Sequence, residues 1–162
     1  SIYIAGADAN SKGIVVQSPS VDHQVVSNLI FFASDSSAKA ACFGTKGLKA
    51  SNFKAFDHNL CYSDRSDHLV AYSESYVTME LARISGFDGK GKSSNPFIQI
   101  PSELNGYSVD LLSPASPARN AGHPTLSTRL GYRGAKNPDA LPVIGAYPFN
   151  STLVSPSSPL AR

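Results

Sequence analysis

Two stretches of this chain echo one another. Residues 25–34 (VVSNLIFFAS) and residues 56–63 (FDHNLCYS) each carry a short apolar, aromatic-rich run with an Asn just ahead of it. Each closes in Ser before an Asp-bearing turn. Setting Asn28 against Asn59 puts Leu29 over Leu60 and aligns Ile30 and Phe31 with Cys61 and Tyr62. A recurrence of about 31 residues made of strand-sized pieces belongs to stacked coils rather than to one globular sheet. The expectation is therefore an all-β solenoid. Asn28 and Asn59 would sit at equivalent bends, their side chains satisfying backbone groups there and stacking as a short ladder.

Composition fits many short strands joined by turns. The chain has 162 residues, enough for one domain with a sizeable core, and only 16% of them are charged. A helical bundle would want more Glu, Lys, Leu and Ala. The net charge of +2, with no Lys/Arg-rich block, predicts neither a nucleic-acid surface nor a membrane surface. No run approaches the ~18 apolar residues of a spanning helix. The first ten residues, SIYIAGADAN, lack a basic segment and a long apolar core, so they read as a strand rather than a signal peptide. An opening in mid-strand implies upstream coils of a longer parent, against the alternative of a mature protein that starts on a strand. Cys42 and Cys61 form no CxxC; they fit buried small hydrophobes first and a disulfide second. Asn150-Ser151-Thr152 is a glycosylation sequon.

In order, residues 2–5, 13–17 and 25–33 read as the strands of one coil, and residues 39–43, 52–56 and 60–62 as those of the next. Residues 76–84 (YVTMELARI) carry a helical pattern in which Val77, Leu81 and Ile84 share a face, stopped at Gly86. A short strand is expected at 96–100. From Pro101 onward prolines break any repeat, and residues 107–112 and 143–147 are the last strand-like pieces. The division is coils at 1–100, a Pro-rich cap over the open end of the stack at 101–149, and an extended tail at 150–162.

The C-terminal third carries a family resemblance. Ser116-Pro117-Ala118-Arg119-Asn120-Ala121-Gly122, then Gly131-Tyr132-Arg133-Gly134, then Val143-Ile144-Gly145-Ala146-Tyr147 resembles the closing segment of right-handed parallel β-helix proteins of the pectate-lyase-like superfamily. Ser85-Gly86-Phe87-Asp88 with Asn95-Pro96-Phe97, and residues 28–32, look like two further passages of that family. Asn120, Asn95 and Pro148 stand where the family usually has acidic residues. The resemblance implies a right-handed parallel β-helix with a Pro-rich C-terminal capping segment and at most one short helix. It also implies a secreted, cell-surface or virion-borne protein that meets polysaccharide.

Family members that cleave acidic polysaccharides by β-elimination neutralise a uronate carboxylate, remove its α-proton and help the leaving oxygen depart. Lys, Arg or a bound Ca²⁺ supplies the neutralisation, so Ca²⁺ is the one cofactor the resemblance allows. The densest basic region is Lys46, Lys49, Lys54, His58 and Arg65. Lys46, Lys49, Lys54 and Arg65 are thus the candidate substrate-binding residues, and Lys54, Asp57, His58 and Arg65 the candidate catalytic ones. The competing interpretation is scattered solvated lysines. A hydrolase would need two carboxylates across a cleft, from Asp57, Asp64, Asp67 and Glu74, whose spacing forces no pair together. Asp-His occurs at 22–23, 57–58 and 67–68; neighbours in a strand point to opposite faces, so these fit turns better than metal ligands. The functional expectation is a polysaccharide-binding protein whose longer parent cleaves its polymer, by a lyase mechanism before a hydrolytic one. The alternative is a non-catalytic adhesin or tailspike shaft.

Overall fold

The structure, a computed structural model, describes residues 2–4, 11–17, 21–32, 40–63, 68–72, 75–96, 115–127 and 142–145. Among the described residues nine strands come first: β1 (Ile2–Ile4), β2 (Lys12–Val15), β3 (His23–Val26), β4 (Leu29–Phe32), β5 (Ala41–Gly44), β6 (Phe53–Asp57), β7 (Leu60–Ser63), β8 (His68–Tyr72) and β9 (Ser75–Thr78). Helix α1 (Met79–Ile84) follows β9, and a 3₁₀ turn at Ala50–Asn52 leads into β6.

The strands pair at the offset visible in the sequence. β4 lies parallel to β7 with Leu29 opposite Leu60, Ile30 opposite Cys61 and Phe31 opposite Tyr62. β1 adds to the other side of β4, and β2 pairs with β5 and β3 with β6, all parallel. Side chains alternate across β4 and β7, so this sheet is buried on both faces. Ile30, Phe32 and Cys61 enter one apolar cluster, whereas Leu29 and Leu60 enter a second with Ala118, Val143 and Ile144. In the first cluster Phe56 meets Phe43, Phe53 and Phe87 edge to face, with ring centroids 5.1 Å, 5.1 Å and 5.3 Å away. Edge-to-face pairs add about 0.5–1.5 kcal/mol each beyond the area they bury. Gly13 is fixed by crowding: a Cβ there would lie 2.8 Å from Ile30 Cγ2 and 2.9 Å from the Cys42 carbonyl oxygen.

The expected right-handed parallel β-helix is not what these residues form. The described strands gather into three separate small sheets of three, four and two strands, and no closed or continuous solenoid sheet joins them. The succession of parallel strands changes after β7. Instead of a third coil, β8 turns back into antiparallel β9, which runs directly into α1. Beyond the helix, the described residues return to these strands through one parallel bridge, Leu60 with Lys92. Among the described residues the β3–β6 pair gains no third strand.

Three local expectations also change. The run at 25–33 is not one strand: Ser27, at φ 55°, breaks it into β3 and β4. The pattern at 76–84 is half strand, because Val77 pairs with Val70 before Thr78 caps the helix by accepting the Leu81 N–H at 3.3 Å. The helix buries Met79 and Ala82 and leaves Leu81 and Ile84 in solvent, the reverse of the expected face. Residues 143–145 form a bend rather than a strand. Arg65, Asp64, Asp67, Glu74, the strand pieces at 97–100 and 107–112, the sequon and the tail lie outside the described residues. Cys42 and Cys61, both fully buried, are joined in a disulfide that ties β5 to β7 across 19 positions, with Cα atoms 5.9 Å apart. The second of the two cysteine alternatives is the one formed.

Candidate functional site

Among the described residues, the buried polar side chains His58, Asn59 and Asp88 gather where the chain bends between β3 and β4 and between β6 and β7. Ser27 and His58 hold equivalent left-handed conformations, φ 55° and 56°, one residue before the two asparagines. The turn leaves backbone groups that no strand partner reaches, and the asparagines meet them. The Asn59 side-chain oxygen accepts the Asn28 backbone N–H at 2.9 Å and the Asn28 amide at 3.0 Å. The Asn59 amide in turn donates to the Val25 carbonyl at 3.0 Å. Leu60 N–H then closes the step by donating to the Asn28 carbonyl at 2.8 Å.

The ladder has a third rung that the sequence reading missed. Asp88 Oδ1 accepts the Asn59 backbone N–H at 3.0 Å and the Asn59 amide at 3.3 Å, doing for Asn59 what Asn59 does for Asn28. Asp88 is fully buried and its Oδ2 has no hydrogen-bond partner. Burial pushes its carboxyl up to about 7, against the pull of the Asn59 hydrogen bonds and Arg83; the Asp57 charge adds to the rise. A signal was present: Phe56-Asp57 recurs as Phe87-Asp88 at the ladder's spacing. Phe87 packs edge to face against Phe56, and Asp88 N–H donates to the Phe56 carbonyl at 2.9 Å.

The candidate catalytic pair is built into this bend. Asp57 Oδ1 accepts the backbone N–H of His58 at 2.9 Å and of Lys90 at 2.7 Å, so the carboxylate fastens two turns together. The His58 ring is buried, its Nδ1 3.4 Å from Asp57 Oδ2. Burial lowers the His58 pKa; Asp57 opposes this, and His123 and Lys90 reinforce it. Lys54 is apart from the pair, exposed on the outward face of β6. Lys46 and Lys49 are exposed on the connection from β5 to β6. Lys46 lies in the tight turn at Thr45–Leu48, and Lys49 N–H donates to Asn52 Oδ1 at 2.8 Å. The structure therefore brings Asp57 and His58 together as bend residues and leaves Lys46, Lys49 and Lys54 in solvent.

A second contact with no local sequence signal completes the site. His123, from the closing segment, packs its ring edge to face on His58 with centroids 4.8 Å apart. Its backbone N–H donates to Ser27 Oγ at 2.8 Å, and Ser27 Oγ also bonds Ser127 Oγ. Gly145 N–H donates to the Ser27 carbonyl at 2.8 Å, which seats residues 142–145 on the same bend.

Among the described residues no three His, Cys, Asp or Glu side chains group as a metal ion requires, so they do not fit Ca²⁺. Of the Asp-His pairs, Asp22 is a left-handed turn residue and His23 packs on Phe53, apart from the 57–58 pair. No helix among the described residues is long and apolar enough to cross a membrane. No family model, no curated protein and no solved structure matches this chain.

Proposed function

We propose that the chain binds an acidic polysaccharide through Lys46, Lys49 and Lys54, as the polymer-holding part of a secreted, cell-surface or virion-borne protein. One observation carries this reading: the three lysines occur within ten positions, all exposed, and none is in an ion pair among the described residues. Unneutralised ammonium groups on a short connection and the adjoining strand suit the repeated carboxylates of a uronate polymer. The Cys42–Cys61 disulfide favours an oxidising compartment. The likeness of residues 116–122 and 143–147 to the closing segment of pectate-lyase-like proteins points to the same class of ligand. Binding is favoured over cleavage because two of the three catalytic candidates among the described residues, Asp57 and His58, are committed to the bend, and Lys54 stands apart from them.

Affinity electrophoresis of the chain in gels containing polygalacturonate, alginate or neutral dextran tests the proposal, with absorbance of the unsaturated product followed in parallel. Retardation by the two acidic polymers and not by dextran is expected, weakening with salt as screening shortens the range of the lysine charges. The triple variant Lys46→Glu, Lys49→Glu, Lys54→Glu should lose at least about tenfold in affinity, since three attractions become three repulsions. Equal retardation of the triple variant, or equal binding to dextran, overturns the assignment. Unsaturated product would replace binding with β-elimination.

A further inference from the structure

The closing segment is held to the strand bends by a contact between two imidazoles. We propose that the His58–His123 pair is an acid-sensitive latch: at neutral pH it fastens residues 116–127 and 142–145 over the Leu29–Leu60 face, and in acid it lets them go.

What surrounds His58 disfavours its charged form, and the hydrogen bonds of His123 use a lone pair on its ring. His123 Nδ1 accepts the backbone N–H of Thr125 at 3.3 Å and of Leu126 at 3.1 Å. A protonated imidazole has no acceptor nitrogen, so a proton there forfeits both bonds and the shape of the 123–126 turn. His58 is 8% exposed and its Nδ1 makes no hydrogen bond. The groups facing it are Asp57 from its own strand end, Lys90 from the turn after α1, and His123 from the closing segment. Only Asp57 favours the charged ring, through Oδ2 at 3.4 Å from Nδ1, while its Oδ1 is taken by the His58 and Lys90 N–H groups. Two imidazolium rings with centroids 4.8 Å apart would also repel each other.

Linkage gives the direction. Burial lowers the folded-state pKa of His58 from 6.5, so the exposed ring binds a proton more readily than the fastened one. The latch is thus fully closed above pH 6.5 and loses its hold as pH falls below it. What it restrains is defined. Ser27 receives the His123 N–H at Oγ and the Gly145 N–H at its carbonyl, while Ile144 and Gly122 donate to Ala118 and Pro142 within the segment. Beneath lie Leu29 and Leu60, 1% and 0% exposed, which opening would bare together with the stacked Phe31–Tyr62 pair.

Amide hydrogen exchange by NMR, expressed as protection over the intrinsic rate, tests the latch at about pH 7.5 and about pH 5, on either side of the imidazole range. Protection of the His123, Ile144 and Gly145 amides should fall at least tenfold at the lower pH, while that of Cys61 and Ala41 in the strands stays constant. In the double variant His58→Asn, His123→Gln the fall should disappear, because neither replacement titrates and Asn tolerates the left-handed conformation at position 58. Constant protection at Gly145 in the unaltered chain overturns the proposal whatever the variants do. The same fall persisting in the double variant overturns it as well.

Discussion

Replacing Asp88 by Asn should stabilise the fold at neutral pH and leave it unchanged in acid. Asp88 is the last rung of the Asn28–Asn59–Asp88 ladder, and its buried carboxyl titrates near 7 instead of at its ordinary 3.8. At 1.36 kcal/mol per pH unit that gap corresponds to about 4 kcal/mol. The sign follows from proton binding. Below pH 3.8 both folded and unfolded chains carry the proton, and the stability associated with this group is fully present. Between 3.8 and about 7 the unfolded chain has lost its proton while the folded chain keeps it, so stability declines as pH rises. Above that window the fold holds a buried charge. Asparagine keeps the Oδ1 acceptor that Asn59 uses and carries no charge at any pH.

Urea unfolding of both proteins from about pH 4 to about pH 8 measures the effect. The variant should exceed the parent by up to about 4 kcal/mol at the alkaline end and converge with it at the acid end. Two parallel stability profiles would refute the reasoning, since they would mean that Asp88 ionises freely in the fold.

Two further substitutions probe the same architecture. Asn59→Ala removes the acceptor for Asn28 and the donor to Val25 and leaves a half-buried N–H and a buried carbonyl unpaired, which should cost roughly 2–4 kcal/mol in the same unfolding assay. Reduction of Cys42–Cys61, or Cys42→Ala with Cys61→Ala, releases a loop closed over 19 positions and should lower stability by about 3 kcal/mol.

The strand offset was legible because Asn28 and Asn59 mark it twice with the same flanking residues, and a parallel pair must place equivalent residues side by side. The solenoid was an extrapolation from those two instances. The third falls at Phe87-Asp88, where β9 and α1 have taken up the intervening chain, and Lys92 bridges to Leu60. The break at Ser27 was hidden by apolar residues on both sides of it. Only the left-handed backbone, which Ser shares with His58, reveals the corner. Helical spacing of Val77, Leu81 and Ile84 misled because pairing with β8 draws Val77 into a strand, and the helix that remains turns Met79 and Ala82 inward.

The site was legible in part for a related reason. The ladder role of the two asparagines follows from local chemistry, and the exposed lysines from their turn-rich surroundings. Asp88 sits at the offset that aligns it with Asp57, yet its carboxyl takes up the rung that follows Asn59. The pairing of His58 with His123 depends on where a distant segment lands, which no spacing encodes.

Through-hydrogen-bond scalar couplings report donor and acceptor directly, and so test the parallel ladder most closely. The Leu60 amide should couple to the Asn28 carbonyl and the Lys92 amide to the Asn59 carbonyl, in keeping with N···O distances of 2.8 Å and 2.7 Å. Reciprocal couplings between directly opposed residues of β4 and β7, the mark of antiparallel pairing, would contradict the arrangement, as would coupling of these amides to other carbonyls.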